Sequence, residues 1–114
     1  MSILKNLFGG GNSSNISPQE AHKIMESSEK YIILDVRTKD EYNQVHIKGA
    51  KLIPVDELGS RASKELPDKN IQILVYCHSG ARASSAVRIL TGMGYEKVLN
   101  FGGIINWPYE TVRG

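Results

Sequence analysis

Hydrophobic positions along the chain form short apolar runs that alternate with sets spaced by three or four residues. The nearly continuous runs cover residues 31–36, 51–53, 71–76 and 97–101. Runs of this length and apolarity are typical of strands that are buried on both faces. The spaced sets between them indicate amphipathic helices. Alternation of such strands and helices predicts an α/β fold, in which helices cover both faces of a parallel sheet.

Local signals mark where the helices begin and end. Ser17-Pro18-Gln19-Glu20 places an N-cap residue, a proline at the first helical position and a glutamate at the third, which predicts a helix start. Thr38-Lys39-Asp40-Glu41 repeats the capping box and opens a short helix to about Val45. Apolar spacing predicts two later helices, one through Val55, Leu58, Ala62 and Leu66 before Pro67, and one through Ala83, Ala86, Val87 and Leu90, stopped by Gly92 and Gly94.

Composition adds limits on what the chain can be. With 114 residues, one domain is the expectation. Hydrophobic residues at 40% and charged residues at 23% exclude a disordered, collagen-like or coiled-coil chain. The longest apolar run, Ile73–Cys77, is too short to span a membrane. The net charge of +2 comes from scattered side chains, so neither nucleic acid nor a membrane is an expected partner.

The Gly-, Asn- and Ser-rich tract at residues 9–14 predicts a flexible leader. We therefore expect a leader over residues 1–15 and one domain over residues 16–114. The only cysteine, Cys77, rules out an intramolecular disulfide and fits a reducing compartment. No secretory signal is recognisable at the N-terminus, so a cytoplasmic location is the prediction.

The chemistry of the sequence centres on Cys77, which lies between the strongest strand signal and the helix after it. Backbone N–H groups and the helix dipole at such a turn favour a thiolate, and a thiolate is a nucleophile. A cysteine in this position is more often an inert small hydrophobe. However, Gly80 suits a tight loop and Arg82 adds a fixed cation, so the loop fits an anion-binding cradle.

These residues also carry a family resemblance. The loop Cys77-His78-Ser79-Gly80-Ala81-Arg82 resembles the C-x-x-G-x-R active-site loop of the single-domain rhodaneses, which are sulfurtransferases. Other segments resemble the family's upstream signature and its closing G-G-x-x-x-W; they are Asp35-Val36-Arg37, Glu41-Tyr42, His46-Ile47-Lys48-Gly49-Ala50 and Gly102-Gly103-Ile104-Ile105-Asn106-Trp107. The resemblance covers about residues 16–109.

The resemblance implies a rhodanese-like fold with a five-stranded parallel sheet and helices on both faces. It also implies a persulfide mechanism in which the catalytic Cys77 takes sulfur from a donor such as thiosulfate. Cyanide or a thiol then accepts the sulfur, and a thiol-carrying protein is a further possible acceptor. No cofactor or metal is required. The substrate-binding residues expected on this basis are His78, Ser79, Gly80, Ala81 and Arg82.

Other polar residues are interpreted as structural. Arg37 and Glu41 stand four apart around a helix start, which favours an ion pair that fastens the helix to the strand, and Asp35 and His46 are expected to be structural too. His78 is not expected to act as a general base, because adjacent residues in a tight turn rarely face each other. The cysteine and histidines lack paired metal-ligand spacing, so no zinc site is predicted; they are Cys77, His22, His46 and His78.

Two alternative functions stay open. One is a cysteine phosphatase or arsenate reductase on the same fold, but those enzymes use C-x-x-x-x-x-R, whereas only four residues separate Cys77 from Arg82. The other is a noncatalytic rhodanese-like module that binds a partner protein. Such modules usually lose the cysteine, which this chain retains.

Overall fold

A parallel sheet forms the centre of the computed structural model, which describes residues 14–114. Its strands are β1 (Tyr31–Asp35), β3 (Lys51–Leu52), β4 (Gln72–Cys77) and β5 (Val98–Gly103). They lie in the order β3-β1-β4-β5. All three pairings are parallel, which confirms the predicted α/β class and its parallel sheet.

The sheet has four strands among the described residues, and the expected count of five is wrong. The segment before the first helix approaches the free edge of β5, where Ile16 N donates to Asn100 O at 2.9 Å and Asn100 N donates to Ser14 O at 2.7 Å. This contact amounts to one isolated bridge between Asn15 and Asn100, which is too short for a strand. Of the predicted leader, residues 1–13 lie outside the described residues. Its boundary stays a prediction.

Four helices cover the sheet, and the first two begin at the predicted capping boxes. They are α1 (Pro18–Glu26), α2 (Lys39–Gln44), α3 (Val55–Glu65) and α4 (Ala81–Gly92). Both capping boxes form, with reciprocal bonds between Ser17 and Glu20 and between Thr38 and Glu41. Each box satisfies backbone donors that a helix start otherwise leaves unpaired. No helix within residues 14–114 has the length and apolarity needed to cross a membrane.

Side-chain alternation along the central strand β4 divides the interior into two cores. Ile73, Val75 and Cys77 face the core that α3 and α4 cover, while Leu74 and Tyr76 face the opposite core. The second core contains Ala21 of α1, Phe101 and Trp107. Because both faces of β4 are buried, its sequence is apolar at nearly every position, as expected for the middle of a parallel sheet.

A second, antiparallel sheet of two strands lies beside the main one. It pairs β2 (His46–Ile47) with β6 (Thr111–Val112). A 3₁₀ turn at Ile104–Asn106 lies between β5 and β6. The sequence does not predict either strand, because two residues are too few to show a two-residue period. This sheet anchors the C-terminal segment against the chain that follows α2.

A buried polar network joins the carboxyl ends of β1 and β4. The carboxylate of Asp35 accepts from Arg37 Nε at 3.0 Å and Nη2 at 2.7 Å, and from the Tyr76 hydroxyl at 2.6 Å. Arg37 Nη2 also donates to Val45 O, and the Tyr76 hydroxyl accepts from Ile47 N at 3.0 Å. Asp35, Arg37 and Tyr76 are all buried. Burial and the charge of Asp35 raise the pKa of Tyr76, which keeps its hydroxyl a proton donor.

This network corrects one prediction. The proposed ion pair between Arg37 and Glu41 is wrong, because Arg37 binds Asp35 two residues away. Although burial opposes its charge, the hydrogen bonds and charge of Asp35 raise the pKa of Arg37. The spacing around the helix start indicated Glu41 as the partner. The Arg37 guanidinium instead turns inward to the end of β1, where the buried carboxylate of Asp35 would have no opposite charge without it.

Replacing Tyr76 with phenylalanine tests the network. Tyr76→Phe removes a donor from Asp35 and an acceptor from Ile47 N. We expect the free energy of unfolding in urea to fall by about 1–3 kcal/mol, the usual cost of leaving buried polar groups unpaired. Tyr31→Phe, on β1 but outside this network, is the matched control and should change stability little. Equal stability of Tyr76→Phe and the wild type would contradict the role given to the hydroxyl.

Candidate active site

The thiol of Cys77 lies at the carboxyl end of β4, where α4 begins. Cys77 Sγ accepts hydrogen bonds from Gly80 N at 3.0 Å and from Ala83 N at 3.4 Å. Both donors come from the loop and first turn of α4, where the helix dipole is positive. The residue is only 1% exposed. The sulfur is therefore held by backbone donors that point at any negative charge it carries.

Gly80 gives the loop its shape. It is the N-cap of α4 and has φ +115°, in the left-handed region that only glycine adopts without strain. Its conformation turns the chain sharply after Ser79 and brings its own N–H to the sulfur. The predicted need for glycine in a tight loop is therefore met at this position.

Arg82 makes a long-range ion pair with Glu41. Its Nη1 and Nη2 atoms donate to Glu41 Oε1 at 2.7 Å and Oε2 at 3.0 Å. The hydrogen bond from Arg82, with further bonds from Thr38, lowers the pKa of Glu41 from 4.5 to about 2. Glu41 is thus the partner of Arg82 rather than of Arg37, and it carries a negative charge at neutral pH. Arg82 was predicted to supply a positive charge to a bound anion, but in the structure the carboxylate of Glu41 balances that charge.

The predicted site residues lie together around the thiol. His78, Ser79 and Ala81 are exposed, while Gly80 and Arg82 are partly buried. A pocket of about 510 Å³ adjoins the loop at His78 and Glu41, and its apolar wall includes Ile104, Ile105, Trp107 and Tyr109. A second pocket of about 330 Å³ is lined in part by Ser79, Gly80, Ala81, Ser84 and Asn100. Small molecules can therefore approach the loop from two sides.

The other polar residues named from the sequence are engaged elsewhere. His46 lies with Nδ1 2.9 Å from Tyr42 O, and its ring stacks on the Tyr42 ring at 3.7 Å. His22 stacks on Tyr109. Within residues 14–114, no three Cys, His, Asp or Glu side chains lie close enough to hold a metal ion. These contacts are structural, in line with the interpretation of His46 and Asp35.

Two residues at the site have no clear signal in the sequence. Asn100 on β5 is buried and hydrogen-bonded to the Cys77 loop, but a single asparagine in a strand shows no spacing pattern. Gly103 belongs to the closing Gly-Gly segment of the family resemblance, which assigns it no contact with the Cys77 loop. A β-carbon at Gly103 would overlap the His78 carbonyl, so the loop can lie against β5 only where a side chain is absent. Both requirements arise from contact between distant segments.

Gly103→Ala is expected to displace the loop. The added methyl group collides with backbone at His78, so we expect a loss of stability of about 1–3 kcal/mol and a fall in Cys77 reactivity. Gly59→Ala in α3 is the control, because a β-carbon there meets nothing within 4 Å and alanine favours a helix. Chemical denaturation and reaction with a thiol reagent measure the two effects. A Gly103→Ala protein as stable as Gly59→Ala would refute the close contact.

The Glu41–Arg82 pair should stabilise the fold in a pH-dependent way. The pKa of Glu41 is lowered on folding, so its contribution is complete above pH 4.5 and disappears as the pH falls through about 2. Both side chains are about one-third exposed, which limits the pair to at most about 1 kcal/mol. We expect the stability difference between wild type and Arg82→Met, measured by urea unfolding, to shrink over this window. Arg88→Met, on the exposed face of α4, should show no such trend.

Comparisons with known proteins identify a family and several relatives. The family model of the Rhodanese-like domain matches residues 17–108. Thiosulfate sulfurtransferase PspE of Escherichia coli (strain K12) is 40% identical over 81 residues, which cover 71% of this chain and 78% of that protein. The putative sulfur carrier protein YrkF of Bacillus subtilis (strain 168) is 38% identical over 97 residues. That match covers 84% of this chain but only 51% of YrkF.

Solved structures show the same fold. A rhodanese with anions from E. coli has a TM-score of 0.70 at 38% identity, covering 74% of this chain and 99% of that chain. The rhodanese-like domain of the Alr3790 protein from Anabaena sp., solved by solution NMR, has a TM-score of 0.80 at 30% identity and covers 90% of this chain and 80% of that chain. The fold, the cysteine loop and the extent of the family match lead to one conclusion: the chain belongs to the rhodanese-like domain family.

Proposed function

We propose that this protein is a sulfurtransferase that moves sulfane sulfur from a donor such as thiosulfate to cyanide or a thiol. Cys77 carries the sulfur as a persulfide. The observation that carries the proposal is the pair of backbone N–H groups, from Gly80 and Ala83, directed at Cys77 Sγ. Donors placed in advance around a reacting atom stabilise negative charge there without reorganisation.

Each step of this reaction keeps negative charge near the loop. The Cys77 thiolate attacks the outer sulfur of thiosulfate and forms a new S–S bond. The original S–S bond breaks, and sulfite leaves with its electron pair. An acceptor then attacks the terminal sulfur of the persulfide; cyanide becomes thiocyanate, and the Cys77 thiolate is restored. Covalent catalysis of this kind replaces one difficult transfer with two easier displacements.

The loop residues have different roles in this proposal. Gly80 stabilises the sulfur through its backbone N–H, and the exposed His78, Ser79 and Ala81 line the approach of the substrate. Arg82 contributes less free positive charge than a lone arginine, because Glu41 neutralises it. Binding of an anionic donor therefore depends mainly on backbone dipoles at the start of α4.

Protein acceptors and location belong to the same proposal. Relatives include the putative sulfur carrier protein YrkF and a probable adenylyltransferase/sulfurtransferase, MoeZ, of Mycobacterium tuberculosis. These names support a thiol-carrying protein as an acceptor in addition to a small thiol. A reducing, cytoplasmic environment suits a single catalytic thiol that has to stay reduced between cycles. The proposed chemistry uses no metal or cofactor.

The phosphatase or arsenate reductase alternative is disfavoured by the size of the loop. Four residues separate Cys77 from Arg82, and Gly80 N already lies 3.0 Å from the sulfur. A tetrahedral oxyanion brings three peripheral oxygens that need donors of their own, so it requires a wider ring. A noncatalytic binding module does not need a cysteine with two backbone donors on its sulfur.

Incubation with thiosulfate should add one sulfur atom to Cys77, and dithiothreitol should remove it. Intact-mass spectrometry before and after each reagent measures the adduct. Cys77→Ser should gain no sulfur and should lose thiosulfate:cyanide transfer, because a hydroxyl at this position cannot form a persulfide. Arg88→Met serves as a control that leaves the loop intact.

The same preparations distinguish the proposed reaction from its alternative. We expect negligible hydrolysis of p-nitrophenyl phosphate by the wild type. Phosphatase turnover that Cys77→Ser abolishes, with no sulfur adduct on the wild type, would replace the sulfurtransferase proposal with a phosphatase. Equal labelling of wild type and Cys77→Ser would exclude Cys77 as the sulfur carrier.

A further inference from the structure

The structure assigns a positioning role to Asn100: its side-chain amide holds the Cys77 loop in the conformation that directs the Gly80 N–H at the sulfur. Asn100 lies on β5, is 6% exposed, and reaches the loop through a hydrogen bond from its amide to Gly80 O. The inference rests on the proposed function in one respect, namely that Cys77 reacts as a sulfurtransferase nucleophile. The loop contact can be tested without that reaction.

The amide of Asn100 joins three segments of chain. Its Nδ2 donates to Gly80 O at 3.3 Å and to Ser84 Oγ at 3.2 Å. Its Oδ1 accepts from Gly102 N at 2.8 Å. One planar group therefore connects the loop and the first turn of α4 to the end of β5. A side chain at this position has to donate on one side and accept on the other, which asparagine does and aspartate or leucine does not.

The backbone of Asn100 is also held by hydrogen bonds, so its side-chain amide starts from a fixed position. Asn100 N donates to Ser14 O at 2.7 Å, and Asn100 O accepts from Ile16 N at 2.9 Å. These bonds hold the outer edge of β5. The side-chain amide of the same residue then links this edge of the sheet to the loop through its hydrogen bond to Gly80 O. The side chain is buried, and its amide is held by three hydrogen bonds.

Gly80 needs such an external hold. Glycine has access to more backbone conformations than any other residue, and at φ +115° it has no side chain of its own to pack. Its carbonyl accepts from Ser84 N at 3.0 Å and from Asn100 Nδ2, which orients the peptide that follows it. Its N–H, on the peptide that precedes it, is the shorter of the two donors to Cys77 Sγ. Because both peptides meet at the Gly80 α-carbon, hydrogen bonds to the Gly80 carbonyl also restrict the orientation of the Gly80 N–H.

Asn100→Ala tests this role, with Asn106→Ala as the matched control. Asn106 is an exposed asparagine in the 3₁₀ turn shortly after β5. Backbone amide exchange followed by NMR is the first readout, and the rate of persulfide formation with thiosulfate is the second. In Asn100→Ala we expect exchange at Gly80 to accelerate about tenfold, the factor that corresponds to one lost hydrogen bond. Exchange in β1 and β4 should stay near its wild-type rate.

The kinetic readout separates positioning from binding. Asn100→Ala should lower kcat for sulfur transfer about tenfold and leave KM for thiosulfate nearly unchanged, because a misplaced Gly80 N–H stabilises the sulfur less during the reaction. Asn106→Ala should match the wild type in both parameters. If Asn100→Ala does not fold, Asn100→Asp, which keeps the shape and the acceptor for Gly102 N, is measured by the same two readouts.

Three outcomes would overturn the inference: unchanged exchange at Gly80, uniform acceleration of exchange throughout the sheet, or a kcat equal to that of Asn106→Ala. Uniform acceleration means that Asn100 stabilises the whole fold without a specific effect on the loop. The proposed function fails separately. If the wild type forms no persulfide while Gly80 exchange still responds to Asn100→Ala, the loop contact stands and the sulfurtransferase proposal does not.

Discussion

The buried ion pair between Asp35 and Arg37 is the interaction on which the arrangement of the site depends. Two charges removed from water are tolerated only where each finds its partners, and here the Tyr76 hydroxyl and Val45 O complete the set. The network ties the carboxyl ends of β1 and β4 to the chain after α2. Cys77 follows Tyr76 directly, so the network also fixes where the strand delivers the thiol.

The groups that donate to the thiol come from the backbone. Arg82, the cation nearest in sequence, is held by Glu41, whereas Gly80 N and Ala83 N face the sulfur. Backbone dipoles cannot be titrated and are fixed by secondary structure, so they act over a wide range of pH. The Glu41–Arg82 pair has a second consequence. It connects α2 to α4 across the site and brings the capped start of one helix against the first turn of the other.

The loop itself is shaped by close contact with β5. Gly103 leaves room for the His78 carbonyl, Gly80 supplies a left-handed turn, and Asn100 holds the carbonyl of Gly80. These three residues come from two segments about twenty positions apart, and none of them contributes a reactive side chain. In a site built at the carboxyl edge of a parallel sheet, the neighbouring strand becomes part of the cradle.

The sequence by itself determined the α/β class, the three long strands β1, β4 and β5, both capping boxes and the place of Cys77 between strand and helix. These features depend on residues close together in the chain, where apolar spacing, cap residues and glycine act locally. Tertiary structure alone decided the partners of Arg37, Arg82 and Asn100, the short β2–β6 sheet, and the single bridge between Asn15 and Asn100. Ion pairs and hydrogen bonds form between groups that are near in space, and segments such as α2 and α4, or the Cys77 loop and β5, come together only in the folded chain.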